Sequence, residues 1–210
     1  MKRLKALKAR ARYGTFSILA ISSDRKLMGV GAASGALSVG DRVPHAKPGI
    51  GAVATQAYTN VIYGIKGLEL IREGLSPHEA LDKLLQEDPE RNLRQVAVMD
   101  FQRRKAVFTG ALVSEYYAEL CGRDYVVIGN MLSGKKVISN MAKEFENTSG
   151  HIASRIVNAL RAGRESGGDR RGELSAALIV VNTKKVEMKI RVDMHTDPIE
   201  ELSRRLKSGR

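Results

Sequence analysis

Gly14-Thr15 is the dipeptide in this chain whose chemistry is most self-sufficient. If the bond between the two residues is cut, Thr15 carries a hydroxyl nucleophile and a free α-amine with a pKa of about 7.7 to 8, poised to act as base near neutral pH. One residue then supplies both the nucleophile and its base, with no histidine needed. The other reading of the pair is a chance Gly-Thr at the head of a strand. Competing motifs fit their chemistry less well. The run from Gly129 through Ser133-Gly134-Lys135 to Lys136 follows a strand and opens a helix, as a phosphate loop must, but Lys136 stands where a Ser or Thr hydroxyl should meet magnesium. Gly29-Val30-Gly31 and Gly49-Ile50-Gly51 run into strands, whereas a dinucleotide fingerprint runs into a helix. His45, His78, His151 and His195 form no i, i+4 pair and no HExxH, Cys121 is the single cysteine, and GxSxG is absent. No metal and no cofactor is expected on these spacings, and Cys121 reads as a buried inert thiol, with a nucleophile as the other reading.

The elements that must position Thr15 follow from pattern. Thr15 to Ser22 and Leu27 to Ser34 flank the polar turn Ser23-Asp24-Arg25-Lys26 and predict a β-hairpin. A Gly/Pro-punctuated loop leads to a third strand, Ile50 to Gln56. Val61 to Arg72 has helical apolar spacing, and Ser76-Pro77-His78-Glu79 opens a second helix with a capping box. Strands are predicted over Leu93 to Asp100, Lys105 to Thr109 and Asp124 to Ile128. Two helices follow, Lys135 to Glu146 and Ile152 to Ala162, then strands Leu174 to Asn182 and Val186 to Met194. A last helix opens at Asp197-Pro198-Ile199-Glu200. Strands thus come in hairpins and helices in pairs, without βαβ alternation. That order predicts an α+β fold: two stacked, mainly antiparallel sheets covered on both outer faces by helices, a four-layer αββα sandwich.

Composition bounds the function. Of 210 residues 43% are apolar, and 35 Lys+Arg against 23 Asp+Glu give a net charge of +12. The excess sits at the ends, at Lys2, Arg3, Lys5, Lys8, Arg10 and Arg12 and again at Arg204, Arg205, Lys207 and Arg210. With aromatics at only 5%, a basic stacking face is not built, so no specific nucleic-acid partner is expected. No apolar run approaches a membrane span and none of signal-peptide length follows Arg12, so a cytoplasmic location is expected. The chain divides into a basic extension or propeptide (1–14), one domain (15–195) and a basic C-terminal helix and tail (196–210).

Several short blocks, in this order, resemble an uncharacterised Ntn-hydrolase-like family of bacteria and archaea, a domain family of unknown function. They are Thr15-Phe16-Ser17-Ile18, the segment from Gly51 to Ala57, Thr59-Asn60, Tyr63-Gly64, Arg94-Gln95, Thr109-Gly110, Gly129-Asn130, the segment from Gly167 to Gly172 and Ser175-Ala176-Ala177. The resemblance implies the αββα Ntn fold, in agreement with the element order, and implies no substrate. Ile128 and Leu174 stand where glutamines are usual in that family. The resulting expectation is an amidohydrolase or peptidase acting on a small-molecule amide or peptide, with Thr15 as nucleophile and a homo-oligomeric state. The alternative is a non-catalytic ligand-binding or oligomeric module on the same fold. Ser34, Thr55, Gln56, Asn60, Asn130 and Ser175 are expected around Thr15 because strand ends and glycine-flanked turns are where short polar groups converge. Asp169 is the expected charged member, to orient the amine, fix a substrate cation or pair with Arg170 or Arg171 in a turn. Lys47 is expected beside Thr15, with a solvated loop lysine as the other reading, because in proteasome β subunits a lysine about thirty residues beyond the terminal threonine enters the site, and Lys47 lies 32 residues after Thr15.

Overall fold

The computed structural model describes residues 14–114 and 116–209, so the expected extension lies, apart from Gly14, outside the described residues. The strands are β1 (Thr15–Ile21), β2 (Leu27–Ser34), β3 (Pro44–Lys47), β4 (Gly51–Ala57), β5 (Arg94–Asp100), β6 (Lys105–Thr109), β7 (Ala118–Cys121), β8 (Tyr125–Asn130), β9 (Ser175–Asn182) and β10 (Val186–Val192). The helices are α1 (Ile62–Arg72), α2 (Pro77–Glu87), α3 (Lys136–Asn147), α4 (Ile152–Glu165) and α5 (Pro198–Ser208). Six strands form one sheet in the order β10-β9-β2-β1-β8-β7 and four form a second in the order β3-β4-β5-β6, with every pairing antiparallel.

Burial of β1 on both faces explains the unbroken apolar run over residues 18–21. Phe16, Ile18 and Ala20 pack with Met141, Phe145, Ile156 and Leu160 under α3 and α4. Leu19 and Ile21 face the other way and meet Ala52, Ala54, Ala97 and Met99 of the second sheet. On that sheet's outer face Val53, Val96 and Val98 pack against Tyr63, Leu68, Leu81 and Leu84 of α1 and α2. The four layers expected from the hairpin-and-helix-pair order are therefore present. Thr15 and Ser17 share the parity of Leu19, so at this end of β1 the space between the sheets is polar.

Two strands were not expected, β3 and β7, and Cys121 at the end of β7 is exposed where a buried thiol was expected. Both strands lie at sheet edges, where one row of backbone groups faces away from the sheet and neither an apolar run nor β-branched residues are required. Pro44 fits as the first residue of an edge strand because no ladder donor is lost there. The helix α5 is not an appendage: Ile199 and Leu202 are fully buried in the same core as α4. Arg204 and Arg205 both donate to Glu201 and hold that carboxyl down to about 2, while Glu200 pairs with Arg161 of α4.

The capping box forms as the sequence predicts. The Glu79 N–H donates to Ser76 Oγ at 3.3 Å, the Ser76 N–H donates to the Glu79 carboxylate at 2.7 Å, and Pro77 occupies the first turn. Ser76→Ala should lower stability by about 1 kcal/mol, seen as a lower urea midpoint at unchanged slope. An unaltered midpoint would show that the cap contributes nothing.

Candidate functional site

Register brings four strands' polar termini into one row. Thr15 lies opposite Ser34 on one side and Asn130 on the other, and Ser34 lies opposite Ser175. Because directly opposed residues share a face, this row turns toward the second sheet, where Gln56 and Gln95 face each other in register. Thr15, Ser34, Gln56, Gln95, Asn130 and Ser175 are all buried, so each polar atom must find a protein partner.

They do so as one network. Gln56 Nε2 donates to the Thr15 carbonyl at 3.1 Å and to Gln95 Oε1 at 2.8 Å, while Ser17 Oγ donates to Gln56 Oε1 at 2.6 Å. Asn130 Nδ2 donates to Gln95 Oε1 at 3.1 Å, and Gln95 Nε2 in turn reaches the Gly129 carbonyl and Thr109 Oγ1, each at 3.1 Å. The two sheets are thus tied together directly beneath Thr15. Ser175 is committed to the neighbouring loop, donating to the Ala36 carbonyl at 2.6 Å and accepting from the Val39 N–H at 3.0 Å.

Above Thr15 the polar groups converge on one carbonyl. The Gly14 oxygen lies 2.6 Å from Thr15 Oγ1, 2.6 Å from Ser34 Oγ and 3.2 Å from Arg171 Nη2. Thr15 Oγ1 is also 3.1 Å from Ser34 Oγ. A hydroxyl has one proton to give, so the two hydroxyls form a chain in which Thr15 donates to Ser34 and Ser34 donates to the Gly14 oxygen. Asp169 stands alongside, its side chain without exposed surface, in a 2.7 Å ion pair with Arg171 and accepting from the Gly35 N–H at 2.8 Å. Of the readings open for Asp169, the pair with Arg171 is the one formed. Glu173 Oε1 accepts from the Asp169 N–H at 2.9 Å, and burial pushes the Glu173 carboxyl above its usual range. Among the described residues no group of His, Cys, Asp and Glu could hold a metal ion.

Ser175 ends the row two strands from Thr15 without contacting it, and three further expected members lie outside the row. Thr55 is one residue from Gln56 and so points to the opposite face of β4, where its hydroxyl donates to the Asn60 carbonyl at 3.0 Å. The Asn60 side chain accepts from the Ile62 N–H at 3.1 Å and starts α1. Lys47 is corrected most sharply. It pairs with Gly51 at the end of β4 away from Gln56, which is five residues or about 16 Å along the strand. The tight turn after β3 sends the chain straight back, so a suitable count of residues along the sequence does not bring the ammonium to the site. Gln95 and Arg171 were not named as site members. Their signal was present, since both lie in blocks that carried the family resemblance.

A profile described as "family of unknown function (DUF1028)" matches residues 15–202. No curated protein matches the sequence. Among solved structures, the chain is similar to protein SPO2555 from Silicibacter pomeroyi, assigned to the same family, with 29% identity and a TM-score of 0.87 over 93% of this chain and 89% of that one. It is also similar to Anbu, described as an ancestral beta-subunit, from Yersinia bercovieri, at 10% identity and a TM-score of 0.46 over 92% of this chain and 94% of that one.

Proposed function

This chain belongs to DUF1028, a family of unknown function, and from that premise we propose that it is an N-terminal-nucleophile hydrolase of amide bonds, with Thr15 as nucleophile once residues 1–14 have been removed. The observation that carries this reading is Thr15 Oγ1 beside the Gly14 carbonyl at 2.6 Å from its oxygen, with Ser34 Oγ and Arg171 Nη2 as the donors to that oxygen. A carbonyl so held is set up for attack: donors already point at the oxygen that becomes negative, and they need no reorganisation as charge develops. Thr15 Oγ bonds to the Gly14 carbonyl carbon while its proton passes to Ser34, and Ser34 protonates the oxyanion. Collapse breaks the Gly14–Thr15 C–N bond, the proton ends on the freed Thr15 amine, and water then hydrolyses the Gly14 ester. The product is a chain whose first residue is Thr15.

In that product the amine serves as base for Thr15 Oγ, and Ser34 and Arg171 face the carbonyl of an incoming small amide or peptide. Gln56, Asn130 and Gln95 position Thr15 through its backbone and its sheet partner. Asp169 fixes Arg171. No helix among the described residues is long and apolar enough to cross a membrane, and no cofactor enters the scheme.

Intact-mass measurement of the purified chain over time is the test, together with an electrophile that modifies N-terminal threonine, applied to a chain beginning at Thr15. The full chain should lose the mass of residues 1–14, Thr15→Ala should keep it, and the short chain should be modified at Thr15. A short chain that folds yet shows neither Thr15 modification nor turnover of any simple amide, beside a full chain that keeps its leader, would sink the proposal. One observation favours a second reading, the oligomeric module: Leu112, Tyr116 and Tyr117 are exposed close together in the β6–β7 connection, and clustered exposed apolar groups mark association sites. Sedimentation of Tyr116→Ser/Tyr117→Ser against the unchanged chain tests the association, since a homo-oligomer built on these residues falls to a smaller species, and the Thr15 modification above separates a catalytic oligomer from a non-catalytic one.

A further inference from the structure

Gly14 marks a subsite with no room for a side chain. A Cβ built on Gly14 would lie 2.5 Å from Asp169 Oδ2, 2.8 Å from its Cγ and 2.9 Å from Oδ1, well inside van der Waals contact. A flexible neighbour would step aside, but Asp169 is held. Its Oδ2 accepts from the Gly35 N–H at 2.8 Å and Arg171 Nη2 at 2.7 Å, and its Oδ1 accepts from the Arg171 N–H and Nε, each at 3.0 Å. The wall behind it is equally full, because a Cβ on Gly35 would meet the Gly172 carbonyl at 2.6 Å and Asp169 Oδ2 at 2.9 Å.

We propose that the space filled by Gly14 is the acyl subsite of the mature site, and that it takes glycyl amides while rejecting amides whose acyl group carries an L side chain on its α-carbon. The inference rests on the Thr15 reading above and adds a substrate class to it. The same two donors, Ser34 Oγ and Arg171 Nη2, orient the carbonyl in both cases, so the α-carbon of a bound acyl group is directed at the Asp169 carboxylate just as Gly14 is. Thr15 Oγ bonds to the glycyl carbonyl carbon, the C–N bond breaks, and the proton taken by the Thr15 amine leaves with the amine product. Water then attacks the glycyl ester, releasing an N-blocked glycine and restoring the hydroxyl. An L side chain has to displace a carboxylate fixed by four hydrogen bonds, a packing penalty equivalent to about 10- to 100-fold in rate.

The experiment compares acetyl-glycyl and acetyl-L-alanyl aminomethylcoumarin amides on the chain beginning at Thr15, with glycyl and L-alanyl electrophiles of one warhead type in parallel. The expected result is a kcat/KM ratio of about 10 to 100 in favour of glycine, with the same preference in the rate of Thr15 modification. Asp169→Ala also releases Arg171 and should slow both substrates, so its readout is the ratio of the two rates, which should narrow as the wall is removed; the electrophile comparison on the unaltered chain stands even if this variant does not fold. Equal rates for the two acyl groups, with Thr15 modified by both, overturn the subsite and leave the nucleophile intact. Absence of any modification or turnover overturns the nucleophile, and the subsite with it.

Discussion

Under the proposed mechanism Ser34→Ala should slow release of residues 1–14 by about 10²- to 10³-fold, the usual cost of removing one preorganised donor to a developing oxyanion. The size follows from geometry. Ser34 Oγ is 2.6 Å from the Gly14 oxygen and 3.1 Å from Thr15 Oγ1, so the alanine deletes both the acceptor for the threonine proton and a donor to the oxygen under attack. The same hydroxyl accepts the Ala36 N–H at 3.1 Å, and part of the effect therefore appears as altered positioning of the loop after β2. Ser34→Thr keeps the hydroxyl and should recover much of the rate. Timed intact-mass spectra on freshly purified chains read the outcome, and a full-speed Ser34→Ala chain would remove Ser34 from the mechanism. Arg171→Ala acts on the same oxygen from 3.2 Å and leaves Asp169 without its ion pair, so its slower processing should be accompanied by a lower melting temperature.

Arg94→Ala costs about 3 to 5 kcal/mol of stability, because it strands a buried carboxylate. Arg94 and Asp88 are 5% and 8% exposed and form a 2.8 Å ion pair. Arg94 also reaches the Tyr58 carbonyl at 2.7 Å and Glu90 at 3.1 Å, and the Tyr63 hydroxyl donates to Asp88 at 3.1 Å. The cluster clamps the loop after β4 to the start of β5, one residue before Gln95. Arg94→Lys keeps a charge but loses the forked contacts, and should fall between wild type and alanine. Urea denaturation provides the measure, and a loss below 1 kcal/mol would contradict this account. Burial alone would raise the Asp88 carboxyl, but the hydrogen bonds and charge of Arg94, with the Glu90 N–H, hold it below its ordinary value of 3.8. A depressed folded value means that the unfolded chain binds the proton first. The contribution of Asp88 is therefore complete above the ordinary carboxylate range and is lost as pH falls through the depressed folded value. Asp88→Asn should flatten that part of the acid-unfolding curve.

Local pattern was enough to specify the α+β sandwich and to put Thr15 at the head of the first strand. Both depend on local information. Hairpin turns, helical periodicity and the Ser76 capping box act over a few residues, and the order of hairpins and helix pairs leaves few ways to cover two sheets. The edge strands β3 and β7 escaped because an edge is defined by what does not pair with it, which no local pattern records. At the site, Ser34, Asn130, Gln56 and Ser175 were legible as polar residues ending apolar strands. Thr55, one residue from Gln56, looked equivalent and was not, because strand alternation sends neighbours to opposite faces and only the stacking of the second sheet decides which face meets Thr15. Lys47 had a persuasive separation along the chain, yet the antiparallel register of β3 on β4 carried it to the far end of the sandwich. The contact of Arg171 with the Gly14 carbonyl and the wall that Asp169 builds against Gly14 join residues more than 150 positions apart. Such contacts exist only once both sheets have stacked and the loop before β9 has closed over the end of β1, so the tertiary structure alone decides them.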